Sequence, residues 1–149
     1  MNGIVENKKI ILPNNRLLQV GALVYKFNNN KLEILLITSR DTGRWIIPKG
    51  WPMVGRTLSQ AALREAYEES GVRGAADTTP IGRYDYEKYD APQDLRHLSV
   101  DVFSVFYSHQ EKKWPERGQR IFEWVSCEEG AKRVAESGLK QILLSFSPQ

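Results

Sequence analysis

Residues 50–72 read GWPMVGRTLSQAALREAYEESGV, and the segment REAYEESGV at their end sets Glu65, Glu68 and Glu69 close together. On a helix of 3.6 residues per turn, positions i, i+3 and i+4 span an arc of roughly 100°, so the three carboxylates project from one strip. Like charges at these spacings cost a helix a few tenths of a kcal/mol per pair, roughly, so something must compensate. Thr57 and Gln60 have the spacing of a capping box that opens the helix. Gly71 stands where a left-handed residue closes it. Ala62, Leu63, Ala66 and Tyr67 form an apolar arc beside the acidic one, which places the helix on a sheet with its carboxylates at the sheet's edge. Arg64, four residues before Glu68, is spaced for an ion pair with it.

Working outward, residues 48–56, PKGWPMVGR, make a loop with two prolines and two glycines ahead of the helix. Upstream, Leu17 to Phe27 and Leu32 to Thr38 have strand composition and are joined by an asparagine cluster, which predicts a hairpin. Trp45 to Ile47 make a short strand that Pro48 and Gly50 end. Downstream, Ile81 to Tyr86, Ser99 to Tyr107 and Ile121 to Val125 read as strands, with the polar stretch Asp90 to His97 as a loop. Ser126 and Glu129 repeat the capping-box spacing and open a second helix from about Cys127 to Ala135. Runs of strands with two interspersed helices indicate an α/β chain with a mixed sheet covered by helices.

The chain has 149 residues, enough to bury one core without a disulfide or metal staple, so a single domain over residues 1–149 is expected. Hydrophobic residues at 41% and charged residues at 26% place it among globular proteins and away from disordered chains. Its apolar runs are too short to span a bilayer. The N-terminus MNGIVENKKI lacks the pattern of a secretory signal, and one cysteine, Cys127, makes no disulfide framework, so a cytoplasmic protein without a membrane partner is expected. A net charge of +3 favours anionic partners mildly, but no dense Lys/Arg face or recognition motif points to nucleic acid.

Hard divalent cations take oxygen ligands: carboxylates, waters and substrate phosphates. Three glutamates on one strip, with Arg40, Arg44 and Lys49 just upstream, suit a metal-bridged phosphate substrate. An arginine fork can hold a phosphate by two hydrogen bonds and a lysine supplies a mobile charge. Arg40, Arg44, Lys49 and Arg56 are therefore the substrate-binding candidates, followed by Arg83, Arg117 and Arg120. His97, His109 and Cys127 lack the partners of a metal or nucleophilic site and read as structural, and Trp45 or Trp51 could stack on a base.

The stretch resembles the Nudix box: glycine, five residues, glutamate, seven residues, then Arg-Glu-aliphatic-any-Glu-Glu-any-Gly-aliphatic. Gly50, Arg64, Glu65, Glu68, Glu69, Gly71 and Val72 match at the same spacing, and Ala66 is a small residue at the first aliphatic position. Arg56 departs from the pattern, standing where the family has its first glutamate. The flanks TSRDTGRWIIPKG and Trp114-Pro115-Glu116 through Trp124 are similar to those of the Nudix subfamily acting on diphosphoinositol polyphosphates and diadenosine polyphosphates. The resemblance implies an α/β/α Nudix sandwich and hydrolysis of a phosphoanhydride in an anionic small molecule, dependent on Mg²⁺ or Mn²⁺. It implies that Glu65, Glu68 and Glu69 hold the metal with the backbone carbonyl of Lys49, that Arg64 orients a carboxylate, and that Arg40 contacts phosphate. The proton acceptor is one of these acids or a distal one, Glu87, Glu111 or Glu116. The alternative is a Nudix-shaped binding or sensing domain in which Arg56 marks lost catalysis.

Overall fold

The sheet is seeded by two apolar segments whose branched side chains suit a pleated surface, Leu17–Asn28 (β1) and Lys31–Thr38 (β2). Asn29 and Asn30 join them with φ of 52° and 64°, the left-handed geometry of a two-residue hairpin that asparagine tolerates. The computed structural model describes residues 5–149; the N-terminal reading falls in part on residues 1–4, outside the described residues. In chain order there follow Trp45–Ile46 (β3), Lys49–Gly50 (β4), Leu58–Ser70 (α1), Val72–Ala76 (β5), Gly82–Glu87 (β6), a 3₁₀ turn at Gln93–Leu95, His97–Gln110 (β7), Phe122–Val125 (β8), Cys127–Arg133 (α2) and Ser137–Ser145 (α3).

The main path of the sheet runs β3-β2-β1-β7-β5, with β4 pairing β1, β6 pairing β7 and β8 pairing β2. β1 and β7 run parallel from Leu17 beside Leu98 to Tyr25 beside Phe106; the other pairs are antiparallel, so the sheet is mixed. Alternation along the strands fills two cores. Val20, Ala22, Val24, Leu35 and Ile37 face Ala61, Ala62 and Ala66 of α1, while Leu23, Ile34 and Leu36 face Ala131 of α2 and Leu139 and Leu143 of α3. Both faces are covered, which is why β1 and β2 read as continuous apolar runs. This is the expected α/β/α sandwich. Among the described residues no helix is long and apolar enough to cross a membrane.

The cap of α1 forms as its spacing predicts: Gln60 N–H donates to Thr57 Oγ1 at 3.2 Å and Thr57 N–H donates to Gln60 Oε1 at 2.9 Å. Gly71 closes the helix at φ 78° with its N–H on Tyr67 O. The buried face differs from the expected arc. It consists of Ser59, Ala61, Ala62, Glu65, Ala66, Glu69 and Ser70, and Tyr67 turns outward between the guanidinium groups of Arg64 and Arg73. The small alanines let α1 lie close on β1, and the sheet then covers two of the carboxylates that were expected at the edge.

Other boundaries shift for local reasons. Only half of the second capping box forms, because Ser126 Oγ accepts from Glu129 N–H while the Glu129 carboxylate turns to Arg133 at 2.7 Å. α2 stops at Arg133, two residues short of the expected end, and a third helix follows. The sequence reading assigned no element to the tail after Leu139, yet α3 spans it. Leu139 and Leu143 are fully buried, each contributing roughly 1.5–3 kcal/mol. β5 was also unforeseen, because VRGAA carries little β-branched signal.

Candidate active site

Glu65 and Glu69 lie one helical turn apart, and the close approach of α1 carries both beneath β4. A Cβ on Gly50 would fall 2.3 Å from Glu65 Cδ, so the carboxylate occupies space that only a glycine leaves free. The Lys49 N–H donates to Glu69 Oε1 at 3.4 Å. Glu65 is 9% exposed and Glu69 6%, and burial is the main reason both carboxyl groups are pushed well above the usual range. The charge of Glu69 and a hydrogen bond with it push Glu65 further, while Arg120, that hydrogen bond and Lys49 pull Glu69 partly back. Burial also pushes the Lys49 ammonium down, against the pull of Glu69 and Glu136.

Glu68 takes a different direction. Consecutive helical residues sit about 100° apart, so with Glu69 turned under the sheet Glu68 points outward, where Arg64 Nε holds Glu68 Oε2 at 2.6 Å. The expectation of three carboxylates pointing the same way is therefore corrected to a buried pair and one arginine-held acid. Among the described residues no three His, Cys, Asp or Glu side chains form a ready ligand set.

A cavity of about 270 Å³ opens onto the pair and is lined also by Arg40, Lys49, Trp51, Glu116 and Arg120. Arg120 is its fixed cation. It is 9% exposed at the side chain, with Nη2 2.9 Å from Glu116 Oε1 and 3.8 Å from Glu69 Oε1, and it donates from Nη1 to Thr38 O at 3.0 Å. Arg40 is its half-exposed one, bonded to Gln119 Oε1 at 2.9 Å and 3.8 Å from Glu116. The loop carrying Glu116 and Arg120 is anchored by Glu116 N–H on Glu68 O and by Trp114, whose ring covers Gly71.

The remaining candidates are dispersed. Arg44 bonds Thr42 Oγ1 and lines a second cavity next to the first. Arg56 is exposed and lines a hollow on the outer side of α1 with Gln60, Leu63, Arg64 and Arg73; the structure does not bring it to the glutamates. Arg83 is committed to Asp101, and Arg117 lies over Trp114 in a groove beyond the loop. Of the distal acids, Glu116 alone lines the cavity with Glu65 and Glu69; Glu87 is held by Arg16 and His97 and Glu111 by Arg73 and His109. Trp51 lines the cavity with Lys9 over its ring, whereas Trp45 packs beneath Arg133. Tyr86, Lys88 and Glu136 were missed. They come from β6, the turn after it and the start of α3, segments without a motif.

The donor set fits a hard divalent cation. Two buried carboxyl groups one helical turn apart carry like charge when ionised, which a cation between them would offset, and their oxygens are the ligand type that Mg²⁺ and Mn²⁺ prefer.

The NUDIX domain family matches residues 17–146 of the chain. Nudix hydrolase 21, a chloroplastic protein of Arabidopsis thaliana, is 29% identical over 134 residues, covering 85% of this chain and 64% of that protein. The chain spans between 59% and 64% of the length of the first curated relatives it matches. Among solved structures, the dihydroneopterin triphosphate pyrophosphohydrolase of E. coli superposes with a TM-score of 0.67 at 17% identity over 87% of this chain and 93% of that one. An Ap4A hydrolase of C. elegans in a binary complex superposes at 0.60 with 20% identity, over 85% of this chain and 92% of that one. At these identities the structural likeness carries the fold, while the match over residues 17–146 decides the family: the chain belongs to the Nudix family.

Proposed function

We propose that the chain is a divalent-metal-dependent pyrophosphohydrolase that cleaves a phosphoanhydride in an anionic small molecule, of the diadenosine polyphosphate or diphosphoinositol polyphosphate kind. The observation that carries this reading is the buried carboxyl pair Glu65 and Glu69 lining a cavity with Arg40, Lys49 and Arg120 in its walls. Glu65 and Glu69 would hold Mg²⁺ or Mn²⁺, with Glu116, the Lys49 carbonyl and, once released from Arg64, Glu68 as further oxygen donors. Bound there, the cation would neutralise phosphate charge and lower the pKa of a water.

The chain's own residues do the rest. Arg120, fixed by Glu116 and Thr38, presents charge to a phosphate without having to be ordered first. Arg40 at the rim closes on the same group, and Lys49 adds charge from the wall. Arg64 holds the Glu68 carboxylate away from the pair, although the charge of Glu68 still reaches Glu65. The acid that takes the proton of water belongs to Glu65, Glu69 and Glu116, because, of the distal acids, Glu116 alone lines the cavity with the pair. The position of Arg56 counts against a sensing domain, since a substitution outside the cavity is no mark of lost chemistry.

The test is release of phosphate or pyrophosphate with Mg²⁺ and with Mn²⁺ from diadenosine tetraphosphate, diphosphoinositol pentakisphosphate, ADP-ribose and nucleoside triphosphates. Metal-dependent cleavage of at least one, reduced by orders of magnitude in Glu69→Gln, is the expected result. Tight binding with no cleavage under either metal would overturn the hydrolase reading.

A further inference from the structure

Beyond Lys49 and Tyr86 the catalytic cavity adjoins a second one of about 370 Å³, and both residues line the two compartments together with Ser39, Asp41 and Lys88. Such a volume suits a nucleoside-sized group. Its charge does not suit phosphate, because Asp41, Asp90 and Glu136 offset the three cations Arg44, Lys49 and Lys88, while Glu87 in the same wall is held by Arg16 and His97.

Glu136 stands in that wall with a side chain that makes no hydrogen bond or ion pair among the described residues. It occupies the cap position before α3 but makes no capping bond. One of its oxygens is fully buried with no hydrogen-bond partner, and among the described residues it forms no ion pair. Buried polar atoms are ordinarily satisfied, and the carboxylate as a whole, only partly buried, lines the compartment. Its charge acts on Lys49 across the cavity, but not within ion-pair distance. At the rim Tyr89, 75% exposed, offers an aromatic face on which a planar ring can lie.

Building on the hydrolase reading above, we propose that this second compartment binds the uncharged part of the substrate, a nucleoside, with Glu136 as its specificity-determining residue. The Glu136 carboxylate accepts a hydrogen bond from an N–H or O–H of that group, and Tyr89 covers the base. A substrate carrying further phosphates at this place meets a partly buried carboxylate of the same sign, so the arrangement selects dinucleoside polyphosphates over diphosphoinositol polyphosphates.

The experiment has two parts, made on the full chain with wild type, Glu136→Gln, Glu136→Ala and Tyr89→Ala. The first is ADP binding followed by NMR titration without metal. The second is kcat and KM for diadenosine tetraphosphate and diphosphoinositol pentakisphosphate with Mg²⁺. Loss of a hydrogen bond to a charged acceptor predicts that Glu136→Ala weakens ADP binding about tenfold or more. KM for the dinucleotide rises to match, kcat stays within about twofold, and KM for the inositol compound is unchanged or lower. Comparing ADP with IDP and with 2′-deoxy-ADP separates a base amine from a ribose hydroxyl as the donor. If Glu136 merely balanced Lys49, its variants would shift both substrates alike, and that result overturns the proposal, as does ADP binding that Glu136→Ala leaves unchanged or preferential cleavage of the inositol compound. ADP binding that depends on Glu136 in a protein that cleaves nothing would uphold the compartment and sink the hydrolase reading instead.

Discussion

Gly50→Ala tests whether the position of the Glu65 carboxylate matters. A methyl group there would sit 2.3 Å from Cδ, 2.5 Å from Oε1 and 2.6 Å from Oε2 of Glu65. Ordinary carbon–oxygen contact needs roughly 1 Å more, and the carboxylate must supply it, because β4 is pinned to β1 at Val20 and Gly21. A displacement of about 1 Å at a catalytic group costs about 100-fold in rate, or roughly 2.7 kcal/mol of barrier. The overpacking itself costs about 1–3 kcal/mol of stability. The assay is kcat/KM at saturating Mg²⁺ on the best substrate of the panel, with thermal unfolding to show that the variant is folded. The double variant Gly50→Ala with Glu65→Gln should be hardly slower than Glu65→Gln alone, since both changes act through one carboxylate. A folded Gly50→Ala protein within about threefold of wild type would refute the reasoning.

Further changes separate the site from its frame. Because Glu65 and Glu69 keep protons in the native state that they lose when unfolded, metal-free stability falls as pH rises from the ordinary glutamate pKa of about 4.3 toward their raised native values; unfolding temperatures from pH 5 to pH 8 should decline, and Glu65→Gln should flatten the decline. Arg56→Glu should leave kcat/KM within about threefold, as its position outside the cavity requires, and it should not lower the unfolding temperature, since an acid before a helix start is favourable. Gly71→Ala combines left-handed backbone strain with a Cβ 2.3 Å from the Trp114 ring, so a loss of about 2–4 kcal/mol in denaturant unfolding is expected, together with reduced activity as the loop bearing Glu116 and Arg120 shifts. Leu143→Ala should cost about 2–5 kcal/mol with kcat preserved, because α3 packs on the face opposite α1.

Several features that local chemistry governs were legible in the sequence. The capping box at Thr57 and Gln60, the left-handed Gly71 and the asparagine hairpin each depend on a few neighbouring residues, and each formed where its spacing placed it. Elements held by tertiary packing were not legible: β5 pairs through a Gly/Ala-rich segment, and α3 lacks a side-chain cap. The same division runs through the site. The positions of Glu65, Glu68 and Glu69 along the helix were plain, but which two turn inward depends on how closely three alanines let α1 approach β1. The sequence ranked Arg56 ahead of Arg120, yet the fold buries Arg120 beside Glu69 and leaves Arg56 on the far side of the helix.

The central claim, that a divalent cation binds the Glu65–Glu69 pair and displaces its proton to solvent, is tested most directly by Mn²⁺ calorimetry at pH 6.5. Titrations in buffers of different ionisation enthalpy count the protons released, and each variant is compared with wild type. Binding with release of about one proton, absent in Glu69→Gln, is the predicted result. Mn²⁺ binding without proton release, or equal in wild type and Glu69→Gln, would contradict it.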